Sequence, residues 1–400
     1  MNRRLAVLVA CFCTIFISYA VRYGYGILLP EMLPELAISK TEAGVIYASF
    51  FIAYTVLSPV LGLLGDRYNV RLLLTLFVTV LGIGTFLMAY SSSITQASLF
   101  FILAGIGSAV CWAPAMALAQ RWTSDKHRGK TLAFIDIGSA LGIVGTSTAV
   151  PMIVTAHNWR AGWMSLGILG FVVAAVNFLA VRNYPEEQSK FRQKKLGQHT
   201  GEPVSVIYMR LLRDIRFWLI GLAYLFTGFS IIVPFTFLST YTVQELAFSY
   251  EAATRLITVI GIGAIVGKLI LGPLSDKIGR IKVMMLCALL IAVGSLGMAY
   301  GQGMILTLFT AIFSLGYGAA WSMYAASASD YFSKESPGSI VGLWTVYLGI
   351  GSILSPIISG WIADTTGTLS WSFVLAAAGA VISLFLLMPM WRASPQPVHQ

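Results

Sequence analysis

Runs of twenty or more apolar residues, broken by short polar turns, recur along the whole chain, near 5–29, 42–64, 71–92, 96–121, 130–154, 160–182, 215–242, 252–275, 281–300, 303–329, 338–363 and 371–391. At about 1.5 Å per residue, each run can cross a hydrocarbon layer of roughly 30 Å. An unpaired backbone polar group is costly in such a layer, and the runs lack the two-residue alternation of a barrel strand. The pattern therefore predicts transmembrane helices. Twelve crossings put both termini on one side.

The polar connections indicate which side, because short loops rich in Lys and Arg stay cytoplasmic. Arg3, Arg4, Arg67, Arg71, Arg121, Lys126, Arg128, Lys130, the basic residues from Arg182 to Arg216, Lys277, Arg280, Lys282, Lys334 and Arg392 fall in one alternating set. The other set holds only Lys40, Arg160 and Arg255. Both termini are thus expected in the cytoplasm, with the chain in the inner or plasma membrane. One connection is long and polar, Asn183 to Asp214, and carries Pro185, Gly197, Gly201 and Pro203 among its charges. It divides the chain into a first six-helix unit (1–182), a linker (183–214) and a second unit (215–400). The linker's later part, from Val204, mixes apolar and basic residues and predicts a short helix on the inner membrane surface.

Composition agrees: with 57% hydrophobic and 10% charged residues among 400, the chain cannot furnish the surface of a soluble domain. The formal net charge of +10 follows from the loop topology, and its spread over many loops argues against a nucleic-acid partner. Arg3 and Arg4 precede the first span as in a signal peptide, but no small-residue cleavage site follows, so the span is expected to stay. Cys11, Cys13, Cys111 and Cys287 lie inside spans and read as packing residues without disulfides. The four histidines, His127, His157, His199 and His399, fall in loops or the tail, and neither H-E-x-x-H nor a glycine-rich phosphate loop occurs. No enzyme, metal or cofactor is expected.

Landmarks repeat across the linker at a nearly constant offset. Gly62-Leu-Leu-Gly-Asp66-Arg67-Tyr-Asn-Val-Arg71 is echoed by Gly272-Pro-Leu-Ser-Asp276-Lys277-Ile-Gly-Arg280, an offset of 276 − 66 = 210. Gly105-Ile-Gly107 is echoed by Gly316-Tyr-Gly318 at 211, and Trp159 by Trp371 at 212. Such duplication marks two structurally related halves. These residues resemble the major facilitator superfamily over the whole chain. The loop motif G-x-L-x-D-[RK]-x-G-[RK] is complete at 272–280 and has Asn69 for its second glycine in the first half. The resemblance implies twelve helices in two pseudo-symmetric bundles. It also implies a gating role for Asp66, Arg67, Arg71, Asp276 and Arg280: the motif's Asp caps a neighbouring helix and pairs with basic side chains when the cytoplasmic face is shut.

Ionisable residues inside spans are costly and usually functional, and three stand there: Arg22, Asp136 and Lys268. Arg22 and Lys268 each lie about eight residues, roughly 12 Å, inside a span boundary, close to the midplane. One cation from each half, facing a common cavity, would suit a small anion. The alternative is that each is paired or snorkels for stability. A finer resemblance, to the monocarboxylate and oxalate/formate branch, rests on Gly105-Ile-Gly107 through Pro114 to Gly129, on Gly138-Ser-Ala-Leu-Gly142, and on Gly267-Lys268 before Asp276. That branch typically has Gly-Arg where this chain has Gly-Lys, and the arginine is its substrate anchor. Asp136, about 9 Å into the fifth span, reads either as the site of a coupling proton or as a fixed partner of loop arginines such as Arg67 or Arg128.

Tyr19 and Tyr25 are expected on the Arg22 face, with Tyr317, Trp321 and Tyr324 as one aromatic stripe and Trp344 with Tyr347 as another. Tyr54 and Trp112 are secondary candidates, and Gly138, Gly142 and Gly145 read as close helix packing. The expected activity is secondary transport of a small organic anion by alternating access, with a proton or in exchange for another anion, by a monomer. Drug efflux is the alternative, disfavoured because Phe101 replaces the fourth-span arginine common in proton antiporters. A non-transporting receptor is a third possibility.

Overall fold

The computed structural model describes residues 3–67, 69–124, 127–183, 211–332 and 337–391, the side chains of 62–67, 128, 329 and 337–339 excepted. The helices are α1 (Arg3–Leu36), α2 (Lys40–Arg67), α3 (Val70–Met88), α4 (Ile94–Ser108), α5 (Ala113–Arg121), α6 (Arg128–Ala156), α7 (Trp159–Ala180), α8 (Ile215–Gln244), α9 (Tyr250–Ile278), α10 (Arg280–Tyr300), α11 (Gly303–Tyr331), α12 (Pro337–Thr366) and α13 (Ser370–Leu387). Twelve spans are long and apolar enough to cross a membrane, α4 and α5 together forming one. That span is interrupted at 109–112, where Pro114 withholds the N–H that the Val110 carbonyl would need. Polar caps end several helices: Ser93, Asn158, Asp214 and Ser249 each accept a backbone N–H from the first turn they precede. The boundaries follow the sequence reading to within a few residues, except that α1 continues past 29 to Leu36, through Pro30 and Pro34. The linker from 184 to 210, including most of its expected surface helix, lies outside the described residues.

Each half packs as a bundle of its own, α1 to α7 and α8 to α13, with matching neighbours: α3 on α4 and α7 in the first, α10 on α11 and α13 in the second. The halves meet along α2/α12, α6/α9 and α1/α8. Small residues allow the close approaches. Gly142 on α6 lies on the backbone carbonyl of Phe16 on α1, and Gly26 on α1 lies on that of Phe235 on α8. A side chain at 142 has nowhere to go, since the obstacle is main chain. Gly142→Leu is therefore expected to lower the melting temperature by a few degrees, the scale of an overpacking cost of about 1–3 kcal/mol; an unchanged melting curve would contradict this packing.

The face opposite the termini, called the far face below, is where the halves close. Gly26 and Phe235 touch there, the Tyr250 hydroxyl donates to the Ile27 carbonyl at 2.9 Å, and the start of α2 lies against the end of α12.

Candidate functional site

Arg22 is in the middle of α1, where that helix faces α2. Its guanidinium is ringed by aromatic faces at 4.5 Å (Tyr54), 4.9 Å (Tyr19), 5.5 Å (Phe50) and 5.6 Å (Phe51). It is 7% exposed, makes no ion pair with any described residue, and its Nε has no hydrogen-bond partner. A desolvated guanidinium is expensive, and each ring face offsets about 0.5–2 kcal/mol of that cost. The phenol oxygens of Tyr54, Tyr19 and Tyr23 are its electrostatic neighbours. The result is a single positive charge held in place by π faces, with donor capacity left over.

The second half closes over it with an aromatic wall. Tyr23 stacks on Phe235 at 3.8 Å and meets Tyr317 edge-on at 6.4 Å. From Tyr317 the wall continues to Trp321 at 6.3 Å, from Trp321 to Tyr224 at 5.6 Å, and from Tyr224 to Tyr324 at 4.1 Å. Tyr224 and Tyr317 are both within electrostatic reach of Arg22. The Tyr324 hydroxyl is hydrogen-bonded to Thr227 Oγ1 at 2.8 Å, whereas Trp321 Nε1 is buried without a partner. Two buried donors from opposite halves, Arg22 Nε and Trp321 Nε1, are thus unpaired, joined by the ring contacts Tyr23–Tyr317–Trp321. In such surroundings a hydrogen-bond acceptor is worth most.

Of the two settings considered for the second cation, the structure shows the paired one. Lys268 Nζ, on α9, donates to Asp136 Oδ2 at 2.7 Å, to the Asp136 carbonyl at 3.2 Å and to Ser139 Oγ at 2.9 Å. The pair joins α6 to α9 across the two halves, with the side chains 15% and 24% exposed. In this conformation Lys268 is paired with Asp136, and the side chains of Arg67 and Arg128, the partners expected for Asp136, lie outside the described residues. Nearer the far face the same two helices are tied by Ser147 Oγ and Thr258 Oγ1 at 2.8 Å.

Tyr25 is a correction. Its hydroxyl donates to the Ala43 carbonyl at 2.7 Å and its ring stacks on Tyr47 and Phe101, inside the first bundle. Tyr19 and Tyr25 lie about 60° to either side of Arg22 around the helix axis, and only Tyr19 of the two packs on the guanidinium. Tyr347 packs edge-on against Phe217 and Trp218 near the terminal end of α8, away from Arg22's ring of neighbours. Among the described residues, the gate residues contact only their own half. Arg71 Nε donates to the Phe178 carbonyl at 2.6 Å, while Arg280 pairs with Asp276 at 2.6 Å and Asp330 at 3.2 Å and donates to Ser275 Oγ. The Asp66 and Arg67 side chains lie outside the described residues. Sequence reading missed Tyr23, Phe50, Phe51, Tyr224 and Phe235. The i, i+4 pairs Tyr19/Tyr23 and Phe50/Tyr54 were the available signal. Among the described residues no group of three or more His, Cys, Asp or Glu is placed to hold a metal ion.

Comparison with known proteins bears on what this enclosure belongs to. The chain is 25% identical to a hexuronate transporter of Bacillus subtilis over 95% of its own length and 93% of the relative's. It is 24% identical to the membrane sensor protein UhpC of Escherichia coli (95% and 91%), and 22% identical to monocarboxylate transporter 12 of Xenopus laevis (95% and 87%). The crystal structure of the nucleoside transporter NupG shares its fold with a TM-score of 0.77 at 16% identity, covering 98% of this chain and all of that one (100%). The Major Facilitator Superfamily pattern itself matches residues 11–267 and 220–400. Two six-helix bundles, an internal repeat and a buried arginine in the first bundle thus accompany a match that covers nearly the whole sequence, and the chain belongs to the Major Facilitator Superfamily of membrane transporters.

Proposed function

We propose that this protein carries a small organic anion, a carboxylate before other anions, across the cell membrane by alternating access, with the termini in the cytoplasm and Arg22 as the anchor. The observation that carries the reading is the Arg22 guanidinium: buried, ringed by four aromatic residues, and without an acidic partner among the described residues. A carboxylate can take two of its N–H groups at once, and the aromatic wall supplies a dry, flat surface for the remainder of the molecule. The names of the hexuronate and monocarboxylate relatives point to the same ligand chemistry.

The Asp136–Lys268 bridge is the proposed coupling element. A proton on Asp136, or an anion arriving at Lys268, would each weaken the bond between α6 and α9, and either event would let the halves part. Symport with a proton and exchange of anions are the two forms such coupling takes.

The test is a thermal-shift panel on the purified protein, set against mono- and dicarboxylates, phosphate esters and sulfonates. Monocarboxylates are expected to raise the melting temperature, by mass action on the folded state. A panel in which only cations or neutral solutes stabilise the protein would defeat the proposal. The sensor relative keeps a receptor reading in view. Counterflow of a labelled anion into proteoliposomes separates the two, because a receptor binds without exchanging.

A further inference from the structure

The start of α2 is capped twice, from two different halves of the molecule. Locally, Ser39 and Glu42 form a capping box: Ser39 Oγ accepts the Glu42 N–H at 3.1 Å, and the Glu42 carboxylate accepts the Ser39 N–H at 2.8 Å. The next two donors of the first turn, Lys40 N–H and Thr41 N–H, go to Asp364 near the end of α12, at 3.1 and 2.8 Å. The Thr41 hydroxyl adds a third bond to the same carboxylate at 2.5 Å. A carboxylate receiving two backbone N–H groups at a helix N-terminus is favoured by charge assistance and by the helix dipole. Here that cap crosses from one half to the other, between residues 323 positions apart in sequence.

The packing beneath the cap is tight. Gly360 lies on the backbone of Lys40 and Gly44 on the backbone of Pro356, so α2 and α12 run antiparallel with residue numbers that sum to 400 at both contacts. Lys40 Nζ also stands 4.0 Å from Glu245 of the second half. These contacts all lie at the far face. None involves Arg22 or the aromatic wall.

We propose that Asp364 is the latch of the far face: it caps α2 from the opposite half while that face is closed, and the cap is released each time the face opens. The capping box travels with α2 in either state, so the helix start is not left bare when Asp364 departs. The two freed N–H groups belong to a helix end at the water-facing rim, where solvent replaces the lost bonds. The latch therefore biases the equilibrium without locking it. The proposal does not depend on which solute is carried.

Spin-label distances test it in the full-length protein in nanodiscs, with the four native cysteines replaced by alanine. Labels at Tyr90→Cys and Met304→Cys, 57% and 87% exposed in the parent protein, report the separation of the halves at the far face. Asp364→Ala is expected to shift the ratio of short to long distances by about tenfold toward the open form. Asp364→Asn, which keeps an acceptor but loses the charge, is expected to fall between alanine and the parent. Thr41→Val is expected to give a smaller opening that vanishes in the Asp364→Ala background, the mark of two groups sharing one contact. Distance distributions for Asp364→Ala that match the parent would overturn the proposal, as would a Thr41→Val effect of equal size with and without Asp364. Should the alanine variant fail to fold, unchanged distributions in both Asp364→Asn and Thr41→Val would overturn it equally.

Discussion

Arg22→Ala is expected to lower transport of the stabilising anion by about 100-fold or more while the protein still reaches the membrane. The magnitude follows from the environment. An anion entering the enclosure loses water, and without the guanidinium no other unpaired cation among the described residues replaces that hydration. Stranding a buried charge costs about 3–5 kcal/mol, and each 1.4 kcal/mol is a factor of about ten. Folding is expected to survive, because the variant removes a desolvated charge from an aromatic pocket and leaves no acid unpaired. Arg22→Lys keeps the charge but loses the two-pronged geometry and the flat stacking on Tyr54 and Tyr19. Weaker binding with residual transport is the expected outcome. Initial-rate uptake into proteoliposomes, read beside the thermal shift on adding anion, distinguishes the cases. Normal rates in Arg22→Ala would end the anion-anchor reading.

The Asp136–Lys268 bridge is expected to behave as a pair in stability and as two individuals in coupling. Lys268→Ala alone leaves a carboxylate between α6 and α9 without its cation, and Asp136→Ala alone leaves the ammonium. Each single variant is expected to lose up to about 3 kcal/mol, below the fully buried case because both groups keep some solvent. The double alanine variant is expected to recover most of that loss. Transport separates the roles. If Lys268 serves only as Asp136's partner, the double variant moves anion at a rate near that of the parent protein. If it also holds substrate once the bridge opens, every variant lacking Lys268 is inactive whatever its stability. Asp136→Asn isolates the proton: a pH dependence of uptake unchanged in that variant would remove Asp136 from coupling.

Hydropathy was enough to read the twelve spans, since membrane insertion is governed by local composition and length. Arg22's place near the middle of its helix was equally legible from its position in the span. Its surroundings were legible only in outline. Tyr54 was a secondary candidate and Tyr25 a principal one, yet the structure places Tyr54 4.5 Å from the guanidinium and Tyr25 in the core of the first bundle. Helical spacing tells which residues share a face of one helix. It does not tell which neighbour that face meets.

The amino-acid sequence by itself determined that this chain crosses a membrane in two related bundles with a cation near the middle of the first. Only the tertiary structure decided the partners. It tied Lys268 to Asp136, 132 residues away, and Thr41 to Asp364, 323 residues away. It also drew Arg22's aromatic surroundings from four helices, α1, α2, α8 and α11. The physical reason is that insertion into lipid is a property of each segment taken singly. Pairing of charges and capping of a helix end instead depend on how two separately inserted bundles are rotated and pressed together, and that is settled by close packing at Gly26, Gly44 and Gly360.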